Sequence, residues 1–149
     1  MLDLLAAWHG HASAERAVCG QGLVDIHRAL CTLDGAAEPP GTLSAADLTA
    51  QALAADGDER AGECLDLFCA FLGTAAGNLA LTLGARGGVY VGGGIVPRLG
   101  ERFDRSPFRA RFEDKGRFAG YLAAVPVFVI RTPTSPALLG ASRALRAPQ

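Results

Sequence analysis

A helix-rich α/β fold with two core parallel strands, near residues 88–95 and 125–130, is the class this sequence predicts. Three observations carry the expectation. Val89-Tyr90-Val91 is a β-branched and aromatic run closed by glycines on both sides, too short for a buried helix. Val125-Pro126-Val127-Phe128-Val129-Ile130 is a second such run, its proline near the start, where a ladder hydrogen bond is least missed. Helical segments lie between them, so the strands are joined by a crossover and pair in parallel.

Taken in order, Met1 to Trp8 reads as helix already under way, with no capping residue in front of it, until His9-Gly10-His11 breaks the pattern. Ser13 is placed to cap a short helix through Val18, with Glu15 in its first turn, where a carboxylate suits the helix dipole. Gly20 and Gly22 interrupt it, and Leu23, Ile26, Ala29, Leu30 and Leu33 then repeat at helical spacing. Asp34 to Gly41, with Pro39-Pro40-Gly41, is a loop. Ser44 with Asp47 three residues on opens a helix running to about Ala55. From Asp58 to about Leu83 the positions Ala61, Leu65, Phe68, Leu72, Ala75, Leu79 and Leu83 mark the central helix, on which Gly73 and Gly77 permit another backbone to approach closely. After the first strand, Gly92-Gly93-Gly94 turns the chain into a helix led by Pro97, a residue suited to a first turn. Ser106 to Phe112 is a further helical stretch, Phe112 to Phe118 a polar loop, and Leu138 to Leu145 the closing helix.

A chain of 149 residues, half of them hydrophobic, has room for one domain with a real core. Its net charge of −1, with both signs interspersed, offers no nucleic-acid footprint and no polybasic membrane patch. The arginines from Arg98 to Arg117 are mixed with Glu101, Asp104, Glu113 and Asp114 and read as a solvated surface. Cys19, Cys31, Cys64 and Cys69 form no CxxC pair; they imply free thiols in a reducing cytoplasm, with Cys64 and Cys69 in the core. Leu67 to Ala85 carries no charge over a length that could span a bilayer, but its glycines, threonines and Asn78, and the absence of an aromatic belt, favour a core helix. Two parallel strands cannot cover their own edges, so further strands upstream of Met1 or a partner chain are expected to complete the sheet.

His9, His11 and His27 lack zinc-site spacing, and no metal is expected. Gly92 and Gly94 match the first two glycines of a dinucleotide fingerprint, but Pro97 stands where the third should be. No nucleophile elbow, P-loop or paired carboxylates appear, so no catalytic residue is assigned. The glycine turn has two readings: a packing turn, or a place where bare backbone N–H groups meet a nucleotide. Glu15 is either dipole compensation or an acceptor for neighbouring sugar hydroxyls.

His11-Ala12-Ser13-Ala14-Glu15-Arg16-Ala17-Val18-Cys19-Gly20-Gln21-Gly22-Leu23 resembles the HxSAERxxSGxGL segment of the bacterial ATP-dependent glucokinases, a group distinct from the zinc-containing ROK sugar kinases. The likeness continues through Leu67-Phe68-Cys69, Gly77 to Leu81, the run from Gly87 to Arg98 and the dense stretch Phe108 to Phe118, then Val125-Pro126-Val127 and Leu138-Leu139-Gly140.

The resemblance implies a partial RNase H-like domain of the hexokinase and actin type, residues 1–149 forming a C-terminal segment without the N-terminal domain. It implies a cytoplasmic kinase using ATP with Mg to phosphorylate glucose, with Glu15 holding the sugar and Gly92, Gly93 and Gly94 against the adenosine end of the nucleotide. A homodimer or a complementing N-terminal domain is the implied partner. The family's DxGGT-like phosphate loop, Asn-Asp pair and GExGH-like motif have no counterpart here, so the chain alone is expected not to phosphorylate glucose. The competing expectation is a non-catalytic nucleotide-binding or interaction module completed by another chain.

Overall fold

The structure is a computed structural model and describes residues 1–37, 43–134 and 136–146. The Pro39-Pro40-Gly41 part of the expected loop lies outside the described residues. Helix α1 (Leu2–His9) ends at Gly10 in the left-handed region, and α2 (Ala14–Ala17) is a single turn. Ser13 stands at the α2 N-cap but makes no side-chain cap hydrogen bond, contrary to expectation. Helix α3 (Gly20–Leu33) starts at Cys19, whose Sγ accepts from the Gly22 N–H at 3.3 Å.

The short helix stops before Gly20 and Gly22, as expected, and these two glycines themselves lie in the first turn of the next helix, α3. A Cβ at Gly22 would stand 2.1 Å from the Arg16 carbonyl oxygen, so this glycine is what lets the first turn of α3 lie against α2.

Helix α4 (Ala45–Leu53) carries the expected capping box: the Asp47 N–H donates to Ser44 Oγ, and Asp47 Oδ2 accepts from the Ser44 N–H. It ends two residues short of the expected limit. Helix α5 (Glu59–Leu83) is capped by Asp58, which accepts from the Ala61 N–H at 2.7 Å, and is stopped by Gly84 at φ 59°. By length and composition α5 could cross a membrane, yet it buries Ala61, Cys64, Leu65, Phe68, Cys69, Gly73, Ala76, Gly77 and Ala80 inside the fold.

Strand β1 (Val89–Val91) is followed by the short helices α6 (Val96–Leu99), α7 (Glu101–Arg105) and α8 (Phe108–Glu113). Gly100, at φ 54°, separates α6 from α7. A 3-10 turn over Gly116–Phe118 leads into α9 (Ala119–Ala123), then β2 (Val127–Val129) and α10 (Pro136–Arg146). The second half of the expected polar loop is thus helical, and both strands are narrower than expected. Gly92 to Ile95 is a turn, while Val125 and Pro126 precede β2.

The strands pair in parallel, as expected, with Val89 opposite Val127, Tyr90 opposite Phe128 and Val91 opposite Val129. The Val89 N–H donates to the Pro126 carbonyl and the Ile130 N–H to the Val91 carbonyl, each at 2.9 Å. The valines face a core built from Leu23, Ile26, Leu48, Leu65, Phe68, Phe112 and Leu122. On the other face Tyr90 and Phe128 stack, ring centroids 5.1 Å apart, and remain 65% and 44% exposed. Among the described residues no third strand joins the sheet, and α10 buries none of its side chains.

Candidate functional site

The turn after β1 is shaped by what a side chain would meet there. At Gly73 and Gly77 on α5 a Cβ would run into the carbonyl oxygens of Phe108 and Phe112, 2.2 and 2.4 Å away, so those glycines serve helix packing. At Gly93 and Gly94 a Cβ would meet nothing within 4 Å, and at Gly92 only Ile130 Cδ1 at 3.7 Å. Gly93 has φ 109°, a conformation that side chains rarely adopt, but Gly92 and Gly94 do not lie in the left-handed region. Neither Gly93 nor Gly94 is held to glycine by a packed neighbour. The turn's backbone is bare toward open space.

That space is two cavities sharing the turn. One, of about 420 Å³, lies between the turn and the start of α3, lined by Val18, Cys19, Gly20, Phe68, Leu72 and Val91 together with Ile95 and Val96. Its character is apolar. The other, of about 490 Å³, lies on the β2 side, where Pro97, Arg98, Ile130, Thr132 and Pro136 complete the wall. A larger cavity of about 580 Å³ stands elsewhere, against the start of α5, and is walled by Asp58, Glu59, Glu63 and Asp66 with Arg102. Arg102 donates from Nη2 to the Gly62 carbonyl and to Asp66 Oδ1, and the remaining carboxylates would repel a phosphorylated ligand. Charge therefore disfavours this cavity as a nucleotide site.

Helix α6 after the turn has four residues, too short for its N-terminus to contribute much to anion binding. Glu15 sits exposed on α2, and the structure does not bring it into either cavity at the turn. It lies one turn before Val18, the first residue of the apolar wall.

His9 and His27 are otherwise engaged, and His11 is exposed. His9 Nε2 is 2.8 Å from Asp25 Oδ2, and Gln21 Nε2 donates to Asp25 Oδ1 at 3.1 Å, which ties α1 to α3. His27 is buried with its Nδ1 3.9 Å from Cys31 Sγ. Among the described residues no group of three His, Cys, Asp or Glu side chains could hold a metal ion. Cys64 and Cys69 are core residues, as expected, and burial pushes their thiols up to about 12 and about 11. Cys19, half-buried, edges the apolar cavity.

Sequence reasoning missed the walls. Val18, Cys19 and Gly20 at the start of α3 meet Phe68 and Leu72 of α5 from far along the chain, and the sequence marks Arg98 only as part of a solvated surface. The glycine turn itself was the one local signal.

The fold and turn define a helix-rich α/β domain with a strand-to-helix glycine turn over open cavities. The family model described as "Glucokinase" matches residues 1–148. A glucokinase of Chromobacterium violaceum is 58% identical over 135 residues, covering 91% of this chain and 38% of that protein. A glucokinase of Aromatoleum aromaticum is 55% identical over 145 residues, covering 97% of this chain and 43% of that protein. Among solved structures, a glucokinase from an Antarctic psychrotroph superposes with a TM-score of 0.83 at 36% identity, over 97% of this chain and 44% of its own. The chain belongs to the glucokinase family. It spans about two fifths of the length of the curated relatives it matches and corresponds to their C-terminal part.

Proposed function

We propose that this chain is the nucleotide-side portion of a cytoplasmic glucokinase that transfers phosphate from Mg-ATP to the 6-hydroxyl of glucose. In this reading the domain is RNase H-like, Gly92, Gly93 and Gly94 meet the adenosine end of the nucleotide, and Glu15 accepts hydrogen bonds from sugar hydroxyls. The bare Cβ directions at Gly93 and Gly94 carry it: nothing in the fold needs glycine at Gly94, whereas a ligand lying on the backbone does. The apolar cavity beside them fits a purine base. ATP would supply the transferred phosphoryl group, and no described residue cluster suits Mg. Phosphoryl transfer depends on a phosphate loop and a base to orient the hydroxyl. Neither has a counterpart in this chain, so a complementing N-terminal domain is the natural partner.

Gly94→Ala is the direct test. The substituted Cβ enters open space at an ordinary φ, so stability is expected to hold or rise by about 0.5 kcal/mol through a less flexible unfolded chain. Affinity for ADP, measured by calorimetric titration, is expected to fall about tenfold or more. An ADP affinity equal to the wild type's would remove the turn from the site. In a coupled assay the 149-residue chain by itself is expected to show no hexose-dependent ADP release.

A second reading is favoured by the exposed Tyr90 and Phe128 face and by the uncovered α10: a non-catalytic module, as a homodimer or with another chain, that keeps the nucleotide turn. Nucleotide binding with no recovery of kinase activity on adding the family's N-terminal domain would select it.

A further inference from the structure

The stretch from His9 to Asp25 is a loop closed by side chains. Asp25, on α3, is buried, and a carboxylate there is costly unless both of its oxygens are bonded. Both are: His9 Nε2, at the end of α1, donates to Oδ2 at 2.8 Å, and Gln21 Nε2 donates to Oδ1 at 3.1 Å. A second contact supports the same junction, the Arg28 guanidinium of α3 lying 4.4 Å over the Trp8 ring. The closed loop carries α2, and α2 carries Glu15.

Little else fixes the entry into α2. A helix of four residues has no stability of its own, and this one has no side-chain cap. A cavity of about 130 Å³ lies between α1, the start of α2 and α5, walled in part by Leu5, Ala12, Ser13, Phe71 and Asn78, so packing leaves that entry room to shift. The far end of α2 is held, because the Arg16 carbonyl rests against Gly22, where a Cβ would stand 2.1 Å away. The near end follows the end of α1, which the His9–Asp25 bond and the Trp8–Arg28 contact tie to α3. Glu15 itself is exposed, and its side chain makes no hydrogen bond or ion pair with a described residue. Its placement therefore comes from the backbone of α2 alone.

We propose that His9 and Asp25 are positioning residues for the sugar: their bond closes the loop that presents Glu15, and losing it weakens glucose binding through Glu15. This rests on the reading of Glu15 as an acceptor for sugar hydroxyls and adds to it which residues hold that acceptor in place.

The experiment is a double-mutant cycle on the whole chain, read by calorimetric titration with glucose and by amide hydrogen exchange. Glu15→Gln is expected to lower glucose affinity about tenfold. His9→Ala is expected to lower it about fivefold alone and hardly at all in the Glu15→Gln background, where the group it positions has already gone. His9→Gln, whose amide nitrogen stands where Nε2 does, is expected to restore most of the affinity. The Arg16 and Val18 amides, which donate to the Ser13 and Ala14 carbonyls, are expected to exchange faster in His9→Ala and to recover in His9→Gln, with or without sugar. Gln21→Ala, at an exposed residue, is expected to give smaller changes in the same direction and serves in place of a His9→Ala chain that does not fold. Equal losses of affinity in both backgrounds would overturn the proposal, because His9 would then support the fold and not Glu15. Unchanged exchange at Arg16 and Val18 in His9→Ala would overturn it as well, with the reading of Glu15 intact. A Glu15→Gln chain that binds glucose like the wild type, or a wild type that does not bind it, would bring down that reading and the proposal with it.

Discussion

Gly73→Ala is expected to destabilise the chain by about 3 kcal/mol or more, a large part of the stability of an ordinary domain. Helix propensity alone points the other way: replacing a mid-helix glycine by alanine gains about 1 kcal/mol. The sign reverses because the added Cβ would stand 2.2 Å from the Phe108 carbonyl oxygen and about 3 Å from two more of its backbone atoms. A flexible side chain could swing away; the backbone at the start of α8 cannot move alone. It carries Phe108 and Phe112, both buried and stacked with centroids 6.0 Å apart, and Phe112 is fully enclosed. Pushing α8 off α5 therefore opens the core beneath the helix that leads to β2. Gly62→Ala is the matched control on the same helix, since its Cβ would meet only the Arg102 guanidinium at 3.2 Å, the end of a long side chain. Urea unfolding followed by far-ultraviolet circular dichroism separates the two. A Gly73→Ala midpoint at or above the wild type's would mean that α5 and α8 are not in backbone contact.

Gly73 and Gly77 were legible in the sequence because glycines one turn apart on an apolar helix have few other uses, and α8 is the element that approaches there. The capping box at Ser44 and Asp47 was legible for a similar reason: both partners are local, and the spacing alone determines the bonds. Val89 to Val91 and Val127 to Val129 were legible as β-branched runs, and their parallel pairing followed from the helical crossover between them.

What escaped sequence reading was set by distant contacts. Gly20 and Gly22 look like breakers, yet they begin a 14-residue helix because Gly22 has to clear the Arg16 carbonyl, a constraint the local sequence does not display. Helix α9 is five residues long, has no side-chain cap and follows a polar stretch, so nothing local marks it. The candidate site was legible only as a glycine turn with two readings. Its cavity walls come from the junction of α2 and α3, from α5 and from the loop after β2, and periodicity has no access to that convergence. The turn's lack of packing contacts becomes apparent only when a Cβ is placed on each glycine.

Arg109→Ala is expected to cost about 2 kcal/mol and to loosen the entry into β2. This side chain gathers three carbonyls: Nη1 donates to the Val125 oxygen at 2.9 Å, and Nη2 to those of Leu122 and Ala123 at 3.2 and 2.8 Å, the Leu122 oxygen also accepting from the Val125 N–H. The last two belong to the C-terminal end of α9, where a cation is favoured. Nε pairs with Glu113 on α8, and the guanidinium also lies over the Phe112 ring, centroid 5.2 Å away. One residue thus joins α8, the end of α9 and the segment that feeds β2. The guanidinium is partly exposed, so water recovers some of the lost bonding and the charge attraction to Glu113 counts for little. The remaining loss is geometric, and Arg109→Lys is expected to restore little of it, because one ammonium cannot serve three carbonyls set in a fork. Amide hydrogen exchange reads the consequence locally: protection at Val127 to Val129 is expected to fall more than protection in α3. Because Ile130 at the end of β2 forms part of the wall beneath Gly92, ADP affinity is expected to fall with it. Uniform loss of protection across both segments would instead mean that Arg109 stabilises the whole core and does not hold β2 in particular.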